Sequence, residues 1–442
     1  MFVWSYITHH SDPVVLTFPV RSGEPSLATL VSPNAGSHEP GLVLVKVTGQ
    51  IAYWDAVGAA VAEGLIQRAG VQTTIPLVPD ETITYLCNAE PAGFVVATSK
   101  GALWDVSTRD PEGRPSLTFV GMTNTGGAWL SGLRSFISGG HARTDIVAVK
   151  PGVREEHSER RQVFVATKRG SIEKWELARG GVYRLIGQGD VSQQMQDTLR
   201  ERLSADLSLS IVDVAAVPTQ TGASSDTFII LASSTFHDSH AYAIFQASFP
   251  EGSQAPRILT GTILPRAPPD YATSRPAATV QPQLYVPSPG LSAFIAYSRG
   301  FAVVSLPNNG DGEWPYCDVA SFRQDYAHLR VIGSGQEDLA YDRTSNRKLR
   351  NPGMMLIIQG AGVVRVETFD TEIADMRVLT TGTQWIQSKI EQAIFYGIAP
   401  ENPIDFKPRL EWNWKLYEVE SVVTTISTEI LKSSMGILVW KC

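Results

Sequence analysis

The chain has 442 residues, of which 43% are hydrophobic and 18% charged, and its formal net charge is -7. That length allows one large core or two to three ordinary domains, and the composition is typical of a globular protein. The mild acidity argues against binding nucleic acid through bulk charge, so we expect no direct nucleic acid partner. No apolar run approaches the roughly 18 residues that a transmembrane helix needs.

The three cysteines, Cys87, Cys317 and Cys442, lie far apart in the sequence. Their spacing fits neither a disulfide framework nor a zinc site, which favours a reducing compartment. The N-terminus lacks the basic and apolar regions of a signal peptide. It starts directly as a strand, and the last residues, G-I-L-V-W-K-C, end abruptly. We therefore expect both ends to be those of a fragment.

The dominant pattern is a repeated pair of apolar runs joined by a glycine-containing or polar turn, which predicts β-hairpins. Six copies begin at Gly41, Gly93, Gln162, Thr227, Ala293 and Met354. Repeated units of about four strands are typical of a β-propeller, in which radial closure protects the sheet edges. Together with the strand-like runs at residues 3–8 and 14–20, the copies predict an all-β propeller of about seven blades.

Residues 124–140 read N-T-G-G-A-W-L-S-G-L-R-S-F-I-S-G-G and lie between two strand-like segments. At helical spacing, the bulky apolar side chains share one face. They are Trp129, Leu130, Leu133, Phe136 and Ile137.

The opposite face of that helix consists of serines and a glycine, with Arg134 as its one cation. With so little charge, the helix would have to bind by burying its apolar residues in a membrane interface or in a partner's groove. The alternative is a surface helix that packs these residues onto its own domain.

Helical periodicity appears in three other places. Residues 193–203 predict a short charged helix. From Thr380 the pattern changes period, and Gly397 is a natural end for the helix that follows. The apolar stripe of this helix consists of Trp385, Ile386, Ile390, Ala393 and Ile394. A further helix is predicted for residues 412–431.

These patterns divide the chain into a propeller over residues 1–372 and a helical appendage over residues 373–442. The appendage is expected to include the start of a helical region that is missing from this chain.

Motifs with catalytic chemistry are absent from the sequence, which contains no HExxH, CxxC, P-loop or GxSxG pattern. We therefore predict no catalytic residue, no cofactor and no metal site. Propeller enzymes take their channel residues from separate blades, so a propeller enzyme remains a third hypothesis. The basic stretch 343–350, R-T-S-N-R-K-L-R, is interpreted as a solvated loop, with an acidic partner or lipid headgroups as the alternative contact.

Six further stretches are informative: W-S-Y from Trp4, L-T-F from Leu16, G-Q-I-A-Y-W from Gly49, S-I-E-K-W-E-L from Ser171, E-N-P-I-D-F from Glu401 and I-S-T-E-I-L-K-S-S from Ile426. They resemble the N-terminal domain of the nucleoporin 133/155 family, in particular its fungal nucleoporin 133 members. The resemblance runs in order over essentially the whole chain.

The resemblance implies a non-enzymatic structural scaffold with a seven-bladed propeller, located in the Y-shaped coat complex of the nuclear pore. In this family, a loop between the third and fourth blades can carry an amphipathic lipid-packing sensor that folds on highly curved bilayers. Residues 124–140 precede the repeat at Ser171, as that loop should, so the membrane interpretation is favoured.

The partners implied by the resemblance are the curved bilayer of the pore membrane and other nucleoporins of the Y-shaped complex, whose main contact domain is absent from this chain. The alternative function is a protein-interaction propeller of another coat or tethering complex, whose apolar loop docks in a partner.

Overall fold

The structure is a computed structural model that describes residues 2–3, 15–17, 26–34, 37–58, 70–123, 145–154, 158–203, 208–218, 226–236, 239–265, 281–307, 314, 317–326, 328–341, 348–368, 382–395, 397, 402–405 and 414–433. It forms two compact units. The first comprises Met1–Ser239 and Ala243–Gly261, and the second comprises His240–Tyr242 and Thr262–Cys442.

The first unit contains a two-stranded pair, β1 (Phe2–Val3) and β2 (Leu16–Thr17), and four sheets of four strands. In each four-stranded sheet, the strands are hydrogen-bonded in the order in which they follow one another along the chain. The first two sheets consist of β3 (Ser26–Val31), β4 (Gly41–Lys46), β5 (Gln50–Trp54), β6 (Val71–Thr74), β7 (Ile83–Asn88), β8 (Phe94–Thr98), β9 (Leu103–Arg109) and β10 (Pro115–Gly121).

The third sheet consists of β11 (Ile146–Pro151), β12 (Arg160–Thr167), β13 (Ser171–Ala178) and β14 (Val182–Asp190). Helix α1 (Ser192–Leu203) follows it, one residue longer at its start than the sequence predicts. The fourth sheet consists of β15 (Leu209–Ala216), β16 (Asp226–Phe236), β17 (Ser239–Phe249) and β18 (Arg257–Ile263).

The core of the first unit lies between the faces of neighbouring sheets. Residues of β8 alternate between two apolar clusters: Phe94 and Val96 face the β3–β6 sheet, whereas Val95 and Ala97 face the β11–β14 sheet. Trp175 is fully buried in the latter cluster, and its Nε1 donates to Glu173 Oε2 at 2.8 Å. This hydrogen bond satisfies both buried polar groups, which would otherwise destabilise the core.

The described part of the second unit is built from one five-stranded, one three-stranded and one two-stranded sheet. The strands, in chain order, are β19 (Gln283–Tyr285), β20 (Ser292–Tyr297), β21 (Gly300–Ser305), β22 (Cys317–Phe322), β23 (Arg330–Glu337), β24 (Ala340–Tyr341), β25 (Lys348–Arg350), β26 (Gly353–Gln359) and β27 (Gly362–Glu367). Strands β19–β22 belong to the larger sheet, β23, β26 and β27 to the smaller one, and β24 pairs only with β25 in the described part of the chain.

Two helices, α2 (Gly382–Phe395) and α3 (Leu416–Ser433), follow the strands and pack on each other through Ile386, Val422 and Ile426. The backbone N–H of Gly397 donates to the carbonyls of Gln392 and Ala393, at 3.1 and 3.2 Å, so the predicted end of α2 is confirmed.

Between the two helices, strand β28 (Ile404–Asp405) pairs with β22 and becomes the fifth strand of the larger sheet. The chain therefore returns to a sheet after residue 373, where the sequence predicts only helices. A salt bridge between Lys389 of α2 and Asp318 of β22 adds a second link within this unit. The proposed domain boundary at residues 372 and 373 stays a prediction.

All six predicted hairpins are present as paired strands: β4–β5, β8–β9, β12–β13, β16–β17, β20–β21 and β26–β27. Gly170, in the β12–β13 turn, has a φ of 114°, a backbone conformation that residues other than glycine rarely adopt. The described residues form six sheets of three or more strands, and the count of seven blades stays a prediction.

One buried carboxyl group has no hydrogen-bond partner among the described residues. Asp105 of β9 is 1% exposed, and neither of its oxygens has a hydrogen-bond partner among the described residues. Burial raises its pKa from 3.8 to about 7. The folded chain therefore holds a proton that the unfolded chain releases at lower pH, so its stability should fall as the pH rises from about 4 to 7 and then level off.

Replacing this residue, Asp105→Asn, should remove that pH dependence. At pH 8 the variant should be more stable than wild type by up to about 4 kcal/mol, because each pKa unit corresponds to about 1.4 kcal/mol. Urea unfolding across the pH range measures the effect, with the exposed Asp145→Asn as the matched control. An unchanged slope in Asp105→Asn would mean that the carboxyl group is solvated or paired.

Candidate functional site

The five predicted membrane-contact residues, Trp129, Leu130, Leu133, Phe136 and Ile137, lie outside the described residues. The structure describes the two ends of the connection that contains them. It leaves the fourth strand of one sheet, β10, and arrives at the first strand of the next, β11. The predicted placement of residues 124–140 between two strands is therefore confirmed, whereas their helical form stays a prediction.

Three contacts hold the chain where it leaves β10. The N–H of Met122 donates to the carbonyl of Leu103 at 2.9 Å, and the Met122 side chain is buried in the core. The hydroxyl group of Tyr183 donates to the carbonyl of Gly121 at 2.8 Å. The ring of Tyr183 lies 6.0 Å from that of Trp175, a favourable distance for an aromatic pair. The departure point is therefore fixed by the first unit itself.

The return to β11 is fixed at Asp145. Its φ is 67°, in the left-handed region that aspartate tolerates better than most residues. Its carbonyl accepts a hydrogen bond from the N–H of Lys168 at 2.9 Å, and the adjacent Ile146 pairs with Thr167. The chain is thus anchored on both sides of residues 124–144.

An apolar surface lies beside the departure point, and the sequence analysis missed it. Val120 of β10 and Val182 of β14 are 43% and 62% exposed. Between them, a Cβ at Gly181 would lie 3.1 Å from Val120 Cγ2, so the two strands meet closely here. In the sequence, only the alternation of apolar residues along β10 points to this surface. Alternation cannot show which of those side chains remain exposed to solvent in the folded chain.

The basic stretch 343–350 is described only at its end, in β25. Arg350 Nη1 lies 3.2 Å from Glu337 Oε1, and Arg365 donates to the other oxygen of the same carboxylate. Arg350 is therefore part of an ion-pair network rather than a solvated side chain.

The described ranges contain neither a candidate metal site nor a candidate membrane-spanning helix. Within them, no group of three or more His, Cys, Asp or Glu side chains has the geometry to hold a metal ion. None of the described helices is long and apolar enough to cross a bilayer.

Comparison with solved protein structures identifies the fold of this chain. The crystal structure of the Nup133 β-propeller domain of Vanderwaltozyma polyspora matches 83% of this chain and 89% of its own, with a TM-score of 0.62 at 19% identity. At that identity the match establishes the fold alone, and the fold is that of a β-propeller.

The family follows from the sequence comparison. A sequence model of the nucleoporin family described as Nup133 N-terminal-like matches residues 1–364. The chain therefore belongs to the Nup133 N-terminal-like family of nucleoporins.

Two fungal relatives resemble nearly the whole chain. Nucleoporin NUP133 of Chaetomium thermophilum is 32% identical over 98% of this chain, and nucleoporin nup132 of Schizosaccharomyces pombe is 24% identical over 96%. The chain spans only 35% of the length of each of these relatives. They are nucleoporins, which places this family in the nucleus, at the nuclear pore complex of the nuclear envelope.

The anchoring of both ends predicts that the connection can be replaced without loss of the fold. A glycine–serine linker of equal length in place of residues 126–140 should change the free energy of unfolding by no more than about 0.5 kcal/mol, as for other surface changes. Thermal and urea unfolding measure this. A large loss of stability would instead support the alternative in which the apolar face packs on its own domain.

Proposed function

We propose that this chain is a non-enzymatic scaffold nucleoporin of the Y-shaped coat complex of the nuclear pore. In this proposal, it forms a seven-bladed propeller with a C-terminal helical appendage. The propeller contacts the curved pore membrane through residues 124–140, with Trp129, Leu130, Leu133, Phe136 and Ile137 as the inserting side chains.

The observation that carries the proposal is the position of an amphipathic sequence with a single charged residue between two anchored strands. β10 and β11 hold its ends through Gly121, Met122 and Asp145. A connection held in this way can change conformation without disturbing the sheets on either side. The exposed Val120 and Val182 add apolar surface close to the point where the chain leaves β10.

The energetics favour a sensor of lipid packing over a charge-driven anchor. Burial of a large apolar side chain contributes roughly 1.5–3 kcal/mol. Even full insertion of all five offsets only part of the roughly 1–2 kcal/mol per residue that ordering the segment costs, so the backbone hydrogen bonds of the helix must contribute as well. Full insertion needs gaps between headgroups, which are frequent in highly curved bilayers. Because Arg134 is the one cation of the helix, binding should depend weakly on lipid charge.

The partners in this proposal are the curved bilayer and other nucleoporins of the Y-shaped complex. The relatives extend well beyond the part that matches this chain, so the main protein contacts are assigned to the remainder of the relatives and not to this propeller. No nucleic acid is expected as a direct partner, because the net charge of -7 repels phosphate.

The single substitutions Leu133→Asp and Phe136→Asp should each abolish binding to small neutral vesicles, because a carboxylate on the inserting face would have to leave water. Flotation of the chain with phosphatidylcholine vesicles of decreasing diameter measures binding. The wild type should bind small vesicles and lose binding as the diameter increases.

The matched control is Ser135→Asp, which adds the same charge on the opposite face and should retain most of the binding. Equal loss in all three variants would argue against a defined inserting face. An absence of flotation at every diameter would contradict the membrane contact and favour the alternative, a loop that docks in the groove of a protein partner.

A further inference from the structure

The carboxyl group of Asp105 lies between two sheets without a polar partner. Val95 of β8 is directly opposite Asp105 of β9, and directly opposite residues share one face of a sheet. Val95 belongs to the apolar cluster that also contains Trp175 and Leu177 of β13, so Asp105 faces the β11–β14 sheet. The residue is 1% exposed, and both of its carboxyl oxygens lack a hydrogen-bond partner among the described residues.

The other neighbour of Asp105 belongs to an edge strand. Val120 of β10 lies directly opposite Asp105, and β10 pairs with no strand other than β9 in the described part of the chain. Val120 is exposed, although Asp105 beside it is buried. Strands at the margin of a structure open at lower free energy than core strands do. The carboxyl group is therefore separated from water by a strand that can leave without disturbing the rest of its sheet.

The contacts that hold the end of β10 on the β11–β14 sheet are local. A Cβ at Gly181 would lie 3.1 Å from Val120 Cγ2, and the hydroxyl group of Tyr183 donates to the carbonyl of Gly121 at 2.8 Å. The same contacts hold the chain where residues 124–144 begin. Release of β10 would therefore release one end of that connection as well.

No neighbouring charge compensates for the burial of this carboxyl group. The titratable side chains that the described strands and turns bring to the same interface are Tyr85, Cys87, Arg161, Glu173, Arg179 and Tyr183. None of them changes the pKa of Asp105, which burial alone raises from 3.8 to about 7. The protonated, neutral form is therefore the one that suits the closed interface.

An ionised Asp105 would need water, because an unpaired charge in an apolar contact is strongly unfavourable. Gly93 closes one approach, since a Cβ there would lie 3.3 Å from Asp105 Oδ1. The approach past Val120 requires only that β10 moves away. Once β10 is released, the carboxyl group titrates near its ordinary pKa. The closed form is thus favoured at low pH and loses this advantage between about pH 4 and 7.

We propose that Asp105 is a pH-sensitive switch that controls strand β10. With the carboxyl group protonated, β10 stays paired with β9 and packed against β14. With the carboxyl group ionised, β10 is released together with the start of residues 124–144. The proposal does not depend on what residues 124–140 bind, and it places the effect of pH at one strand rather than in the fold as a whole.

Hydrogen exchange of the full chain tests the switch, with mass spectrometry of peptides from β10 and from β8 at several pH values and urea concentrations. After correction for the intrinsic pH dependence of exchange, the protection of β10 should fall about tenfold per pH unit between about pH 5 and 6.5, because opening releases one proton. It should level off above about pH 7. Low urea should barely change exchange in β10, since a local opening exposes little surface, but should accelerate exchange in β8, which requires global unfolding.

The variant Asp105→Asn should remove the pH dependence of β10 protection. The matched control Asp145→Asn neutralises an exposed carboxyl group at the other end of the connection and should keep the wild-type dependence. Tyr183→Phe removes the hydrogen bond to Gly121 and should lower the protection of β10 about fivefold at every pH without changing the slope. An unchanged slope in Asp105→Asn, or a urea dependence of β10 equal to that of β8, would overturn the proposal.

Discussion

The burial of both faces of each sheet is the constraint on which this structure depends. All five residues of β8 are buried, and its four apolar residues alternate between two apolar clusters. A strand that is apolar on both faces is stable only when other layers cover both sides of its sheet. Within the first unit this requirement stacks the four sheets face to face. It also explains why polar side chains in these layers need partners, as Trp175 and Glu173 provide for each other.

The same constraint leaves the connections between sheets as the places where new function can be added. Residues 124–144 join β10 to β11, and the β24–β25 hairpin is inserted between strands of a single sheet. In both cases, contacts close to the sheets hold the chain at the base of the added segment.

The hairpins and helices were predictable because each carries a local pattern: alternating apolar residues around a turn, or an apolar stripe with a glycine at its end. Strand β28 was not, since two residues have no periodicity and their partner β22 lies far away in sequence. The burial of Asp105 was equally hidden, because an aspartate in a strand usually faces water. For the candidate site, the sequence predicts which residues would insert, whereas the anchors at Tyr183 and Asp145 and the exposed valines depend on tertiary contacts.

We propose that residues 124–140 enter curved bilayers as a helix with one inserting face. Labelling each position in turn with an environment-sensitive fluorophore on an introduced cysteine tests it most directly, as in Leu133→Cys and Ser131→Cys. Cys317 and Cys442 would be replaced, whereas Cys87 is buried and burial raises its pKa to about 12, which keeps it unreactive. On small vesicles, the emission should shift to the blue with a helical period that peaks at the apolar positions. A uniform shift, or the same shift on large vesicles, would contradict the account.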